Sequence, residues 1–233
     1  GDLPELKTLS FAPGDIRLGA LTQHRELLVN DELKRALPLL PCAAAFIGHA
    51  AIRNRGTLGG SLAFADPAAE LPACVVALQA TISIGGPDGA REVAAEEFFT
   101  GLMETALRPG ELITGVRFPS AAQGERTVIE ELSRRHGDFA VAGLVIAAPM
   151  EGARVGAARV VYFGCVERAQ VAHHVSAALS GRALTAGTIE AAVEAVGEDL
   201  APDDTPGWRA ETKLRLARTL MRRALVQLTG PVA

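Results

Sequence analysis

Several features that would classify a chain quickly are scarce or missing here. The sequence of 233 residues holds three cysteines, Cys42, Cys74 and Cys165. They lie far apart, form no CxxC pair, and their odd number leaves no complete disulfide framework. Flanked by Ala, Val, Phe or Gly, they read as buried core thiols. An iron–sulfur cluster needs a set of thiolates that this chain does not supply. There is no GxxxxGK[ST] phosphate loop, no strand–GxGxxG–helix fingerprint, no HExxH and no GxSxG. The five histidines are not at zinc-site spacing, and the adjacent His173 and His174, on a predicted helix, point in different directions. A net charge of −4 lacks the basic surplus that nucleic-acid or anionic-membrane binding calls for. The longest nearly unbroken apolar stretch, FAVAGLVIAAPM (139–150), is shorter than the ~18 residues that span a bilayer. No charged-then-apolar leader opens the chain, so the expected location is cytoplasmic.

What is present suffices for a sizeable core: 48% of residues are hydrophobic. Residues 15–22 alternate as a strand does. Residues 22–48 read as helical, with Thr22 or Asn30 as caps and with Pro38 and Pro41 breaking the pattern. A helix over 70–80 carries Pro72 in its first turn. ATISIGG and REVAA bracket GGPDGA as two strands of a hairpin. EEFFTG reads as a helical turn, and GELITGVRFP as a strand closed by Pro119. SAAQGE (120–125) is the candidate boundary between a unit at 1–120 and another at 126–233. Beyond it three strand-like runs (126–134, 138–149, 158–166) precede three helices (168–179, 185–200, 207–228). That order predicts an α+β fold with helices on one face of a sheet.

The stretch NRGTLGGSLAFADPAAELP (54–72) carries the chemistry. Two successive glycines remove both Cβ atoms and permit positive φ, so that consecutive peptide N–H groups can converge on an anion. Thr57 and Ser61 add hydroxyls, which suits a pyrophosphate. Asp66 and Glu70, downstream, suit the hydroxyl pair of a ribose. On the residues alone, a dinucleotide cradle and a plain glycine turn before an Asp-Pro helix start stand level.

The same stretch, read as IRNRGTLGGSLAFADPAAELP, closely resembles the FAD-binding segment of the flavoprotein subunits of molybdenum hydroxylases, the carbon monoxide dehydrogenase and xanthine dehydrogenase family. DIRLGALTQHREL, EEFFTGLMETALRPGELITGVRFP, LSRRHGDFAVAGLVIA and LMRRALVQL resemble further family segments in the same order. The resemblance implies a vanillyl-alcohol-oxidase/PCMH-type FAD-binding domain, followed by a C-terminal domain of a three-stranded antiparallel sheet with a helical bundle. It implies that Gly56, Thr57, Gly59, Gly60 and Ser61 cradle the FAD pyrophosphate and that Asp66 and Glu70 line the adenosine side. Leu112 and Ile113 would pack near the cofactor. Asp138 and Phe139 would lie by the isoalloxazine, with an ordinary core aromatic as the plainer reading of Phe139. Arg134 and Arg135 suit cofactor, partner or solvent.

By the same resemblance, FAD would pass electrons from [2Fe-2S] clusters in a small subunit to an external acceptor. Molybdopterin would reside in a large subunit, the whole forming a dimer of heterotrimers, with no nucleic acid and no membrane insertion. Relatives place a second glycine-rich phosphate loop ahead of the LPEL segment, and this chain opens at GDLPELKTLS. A missing N-terminal lobe is therefore expected. Two rivals follow, a scaffold subunit without FAD and a stand-alone flavin oxidoreductase. The last helix, with Arg209, Lys213, Arg215, Arg218, Arg222 and Arg223, reads as a packed helix with a solvated basic face, or as a docking surface.

Overall fold

The computed structural model describes residues 3–230; residues 1–2 and 231–233, the outer ends of the two expected units, lie outside it. After a 3-10 turn at Pro4–Lys7, strands β1 (Leu9–Ala12) and β2 (Asp15–Gly19) form a hairpin. Helices α1 (His24–Val29), α2 (Asp31–Ala36), α3 (Leu39–Phe46), α4 (Ala50–Arg53), α5 (Leu58–Phe64) and α6 (Glu70–Ala77) follow. Next come β3 (Thr81–Gly86), β4 (Gly89–Ala94), α7 (Ala95–Phe98), β5 (Phe99–Gly101), β6 (Glu104–Thr105) and β7 (Leu112–Phe118). The first sheet has the order β1-β2-β7-β3-β4, with every neighbour antiparallel.

The second sheet is built on β9 (Ala140–Glu151), flanked by β8 (Glu125–Ser133) and β11 (Arg159–Phe163), all antiparallel. The short β10 (Arg154–Val155) turns back on the end of β9, and β12 (Gln170–Val171) borders β11. Helices α8 (His173–Leu179), α9 (Ala186–Asp199) and α10 (Ala210–Thr229) close the fold. The expected three antiparallel strands and helical layer are there, in an α+β arrangement.

Two apolar cores meet at this sheet. Ile129, Val145, Ala147, Val161 and Phe163 face the core shared with α3, α5, α6 and the first sheet. Val128, Leu144, Ile146, Val160 and Tyr162 face the core under α8–α10. Strand β9 is thus covered on both sides, which is why its sequence is an unbroken apolar run instead of an alternation.

Local chemistry departs from expectation in four places. The helical stretch from residue 22 is three short helices, because Asn30 ends one and caps the next, accepting from the Glu32 and Leu33 amides, and Pro38 starts the third. Thr22 caps nothing; its hydroxyl donates to the Gly19 carbonyl at 2.7 Å. Residues 170–171 pair with β11 as an edge strand, so α8 starts five residues later than its pattern suggests. The glycine stretch is itself helical, its first turn containing both glycines.

Candidate functional site: a glycine-lined helix start and an acidic, aromatic cavity

The segment from Gly56 to Ser61 is held against the chain leaving β2. The His24 amide donates to the Gly56 carbonyl at 3.0 Å, and the Leu58 and Gly59 amides donate to the Thr22 and Ala20 carbonyls at 2.8 Å each. Thr57 caps α5, its Oγ1 accepting from the Gly60 amide at 3.1 Å, and the Ser61 amide donates to the Thr57 carbonyl at 3.0 Å. The amides of residues 58–61 are therefore all engaged by the chain's own acceptors.

The glycines serve different ends. A Cβ on Gly59 would stand 2.6 Å from the Ala20 Cβ, and one on Gly56 would stand 2.7 Å from the His24 ring. Those two are bare for packing. Gly60 is exposed, and a Cβ there would meet Thr57 Oγ1 alone, at 2.9 Å. Of the three, it is the glycine not pressed by Ala20 or His24.

His24, which the sequence reading passed over, locks the turn from beneath. It is buried, with Nε2 3.0 Å from the Thr57 carbonyl and 3.2 Å from Ser61 Oγ. The carbonyl contact fixes the ring proton on Nε2 and leaves Nδ1 as a buried acceptor with no partner. Burial lowers its pKa, partly opposed by the Thr57 hydrogen bond. Its role is to hold the turn, by packing under Gly56 and by the Thr57 contact.

Asp66 shapes the chain between α5 and α6, accepting from the Ala68 amide at 2.8 Å. Glu70 opens α6 with 7% of its surface exposed. Burial pushes its carboxyl up to about 7; its own backbone amide opposes this and the Asp66 charge adds to it. Leu112 and Ile113 begin β7, paired with Gly85 and Ile84, Leu112 exposed and Ile113 buried. Just before them Glu111 forms an ion pair with Arg91 at 2.7 Å and accepts from the Arg108 amide at 2.8 Å, which holds its carboxyl down at about 2. That ion pair anchors the GEL turn.

A cavity of about 520 Å³ lies between the two halves, lined by Ile47, Gly48, Ile52 and Glu70 on one side. Arg134, Gly137, Asp138, Phe139, Val141, Pro206 and Trp208 line the other. Arg53 holds one wall by donating to the Ile47 and Gly48 carbonyls at 2.8 Å each. The β8–β9 turn forms the opposite wall: Gly137 has φ +85°, and a Cβ on it would meet the Gly48 carbonyl at 3.1 Å. Phe139 is 66% exposed into this space, so it is not a core aromatic. The Arg134 guanidinium sits 5.7 Å from the Trp208 ring centroid, a cation–π contact at the cavity mouth.

Of the residues singled out from sequence, the structure brings Glu70, Arg134, Asp138 and Phe139 together here, while Arg135 is not among the lining residues. Gly56, Thr57, Gly59, Gly60, Ser61, Asp66, Leu112 and Ile113 do not line this cavity. Trp208 was missed, although it is the single tryptophan of the chain. Cys74 and Cys165 are buried as expected, with Cys165 pushed up to about 12 by burial, whereas Cys42 is exposed and corrects the expectation of three core thiols. Among the described residues no group of three metal-ligating side chains occurs, and no helix is long and apolar enough to cross a membrane.

The chain is thus two α+β halves, with a glycine-containing helix start in the first and an acidic, aromatic cavity between them. Residues 1–121 match the family described as FAD binding domain in molybdopterin dehydrogenase, and residues 127–228 match CO dehydrogenase flavoprotein C-terminal domain. The chain belongs to the FAD-binding subunits of the molybdenum hydroxylase family. It is 34% identical to the 6-hydroxypseudooxynicotine dehydrogenase complex subunit alpha of Paenarthrobacter nicotinovorans, over 97% of this chain and 76% of that one. It is 31% identical to the carbon monoxide dehydrogenase medium chain of Hydrogenophaga pseudoflava, over 96% and 78%. In structure it resembles carbon monoxide dehydrogenase from that organism (TM-score 0.92, 32% identity, 96% and 78% covered). It equally resembles quinoline 2-oxidoreductase from Pseudomonas putida 86 (TM-score 0.92, 32% identity, 98% and 79% covered).

Proposed function

We propose that this chain is the FAD-carrying, electron-transferring subunit of a cytoplasmic molybdenum hydroxylase complex. Its partners would be an iron–sulfur small subunit and a molybdopterin large subunit, in a dimer of heterotrimers. Residues 1–120 would hold the phosphate and adenosine side of FAD and residues 126–233 the flavin side. The observation that carries this reading is the cavity between two halves that each match a flavoprotein family, with Glu70, Asp138 and Phe139 converging in it.

The residues fit the cofactor by their chemistry. Gly60 lets a phosphate approach the backbone without a Cβ, with the hydroxyls of Thr57 and Ser61 beside it. Glu70, like Asp66, can accept hydrogen bonds from ribose hydroxyls. Leu112 supplies exposed apolar surface, backed by the buried Ile113. Phe139 covers an aromatic ring system, and Asp138 places a carboxylate beside it. Bound FAD would supply the redox chemistry, while this chain binds, orients and shields it.

Titration of the chain with FAD, followed by flavin absorbance after desalting, tests the reading. The expected result is stoichiometric yellow protein for the wild type and colourless protein for Gly60→Val, with the helices of the second half still folded. Full retention of colour in Gly60→Val would remove the motif from the site. One observation favours a second reading, a scaffold subunit without FAD: the amides of residues 58–61 are all engaged internally, leaving the hydroxyls of Thr57 and Ser61 as donors there for a pyrophosphate. A colourless wild type that still associates with an iron–sulfur subunit supports that alternative.

A further inference from the structure

Ile52, Phe139 and Trp208 line the cavity without belonging to either apolar core. Ile52 is 52% exposed, Phe139 stands open, and the indole of Trp208 is half-buried. Unburied apolar surface gathered in a concavity marks a place for a ligand with an apolar body. The polar groups on the same walls, Glu70, Arg134 and Asp138, suit a ring whose edge carries carbonyls and N–H groups. Phe139 is the flavin's expected cover, whereas Trp208 has no assigned role.

Trp208 closes a tight turn. Its amide donates to the Thr205 carbonyl at 2.8 Å, and the Thr205 amide donates to the Trp208 carbonyl at 2.9 Å. Pro206 and Gly207 (φ +85°) fill the two central positions, the residues that a type II turn favours there. The flanking chain is fixed as well. The Ala210 amide, at the start of α10, donates to Asp204 Oδ1 at 2.6 Å, and the buried Lys213 donates to the Asp203 carbonyl at 3.0 Å. Against the indole sits the Arg134 guanidinium, which lies over Gly207, where a Cβ would meet it. Arg134 makes no ion pair among the described residues. An arginine that stacks on an indole instead of pairing with a carboxylate fixes the orientation of that ring. Trp208 is therefore held at the cavity mouth before any ligand arrives, and little side-chain entropy is lost on contact.

We propose that Trp208 is a contact residue for the flavin: its indole packs against the isoalloxazine ring system as a second aromatic wall beside Phe139, with Arg134 bracing the indole. The inference rests on the reading of this site as an FAD site. Planar conjugated rings stack favourably on indole, and the contact keeps water from that part of the ring. The plainer role, a tryptophan that only anchors the start of α10, predicts lost stability on replacement and no change at a bound flavin. Composition makes the two roles separable. The chain has one tryptophan and one tyrosine, and Tyr162 is fully buried in the core under α8–α10. An excited flavin takes an electron from an indole or phenol in contact with it and returns to its ground state without emitting. Phenylalanine rings do not give up that electron. Of the residues that line the cavity, Trp208 is thus the aromatic able to darken a flavin held there.

The test loads the whole chain with FAD, desalts it, and reads the flavin fluorescence lifetime in wild type, Trp208→Phe and Trp208→Leu. The wild type should be yellow and nearly dark. Trp208→Phe should bind FAD within about threefold of wild type and emit several-fold more strongly, because it keeps a ring that cannot quench. Trp208→Leu should be equally bright and should bind FAD roughly fivefold more weakly, since the aromatic contact itself is gone. A yellow wild type that emits brightly overturns the contact and leaves the cofactor reading standing. So does a dark wild type that stays dark in Trp208→Phe, whatever happens to its denaturation midpoint; Trp208 would then belong to the start of α10 alone. A wild type left colourless by desalting overturns the contact together with the cofactor reading.

Discussion

The glycine turn and the cavity are built on opposite principles. At Gly56–Ser61 the amides of Gly56 and of residues 58–61 are matched to carbonyls or the Thr57 hydroxyl, and two of three glycines are bare because Ala20 and His24 press against them. Around the cavity, Glu70 has no cationic partner among the described residues, Phe139 stands in the open and Asp138 is exposed. A conspicuous sequence motif can thus be mostly self-supporting, while unsatisfied chemistry gathers where separate segments meet.

The largest effect expected is at Gly59. A valine there drives its side chain into Ala20, whose Cβ already stands 2.6 Å from the position of an added Cβ and whose carbonyl oxygen stands 2.8 Å from it. Gly59→Val should cost about 3 kcal/mol or more, seen as a lowered denaturation midpoint, because backbone must move. Unchanged stability would mean that the turn is looser than its hydrogen bonds imply.

The next effect is a pH dependence that belongs to the cavity. Glu70 has its ordinary value of 4.5 when unfolded and about 7 when folded, so the folded chain holds its proton to higher pH. Its contribution to stability is therefore greatest below the unfolded value and falls as pH rises from there to about 7, by something on the order of 3 kcal/mol. Denaturant melts across that window should become shallower in Glu70→Gln, the remaining slope belonging to Glu131, whose carboxyl burial pushes up to about 8. A wild-type curve already flat would show that Glu70 ionises normally.

Thr57→Ala removes the cap of α5 and should cost about 1 kcal/mol in unfolding experiments. The smallest stability change belongs to Phe139→Ala, within about 0.5 kcal/mol because the ring is largely exposed. Its mark should appear instead in the absorbance and fluorescence of bound flavin. A large loss of stability there would return Phe139 to the core.

Much of this was legible from sequence. The apolar run of β9 and the strand–helix order beyond residue 125 announced the second half. The ordered motifs announced the family. The helical identity of residues 58–64 was not legible, because two glycines in a first turn carry poor helix propensity and only the Thr57 cap and packing against Ala20 rescue it. Glu131 was invisible for another reason. An EE pair on a strand looks like solvated charge, and only the second layer of packing reveals that Glu130 meets α10 while Glu131 turns inward to an unpaired site.

Strand β9 has a further consequence. Because apolar side chains leave it in both directions, one into each core, neither half closes its interior without the other. A cut in the 119–124 connection would leave Val145, Ala147, Val161 and Phe163 facing water on the released piece. The sequence boundary is therefore not a seam at which pieces can be exchanged. A graft from a relative would have to bring its own version of that inner face, so changes on α3 and α6 must be answered on β9 and β11.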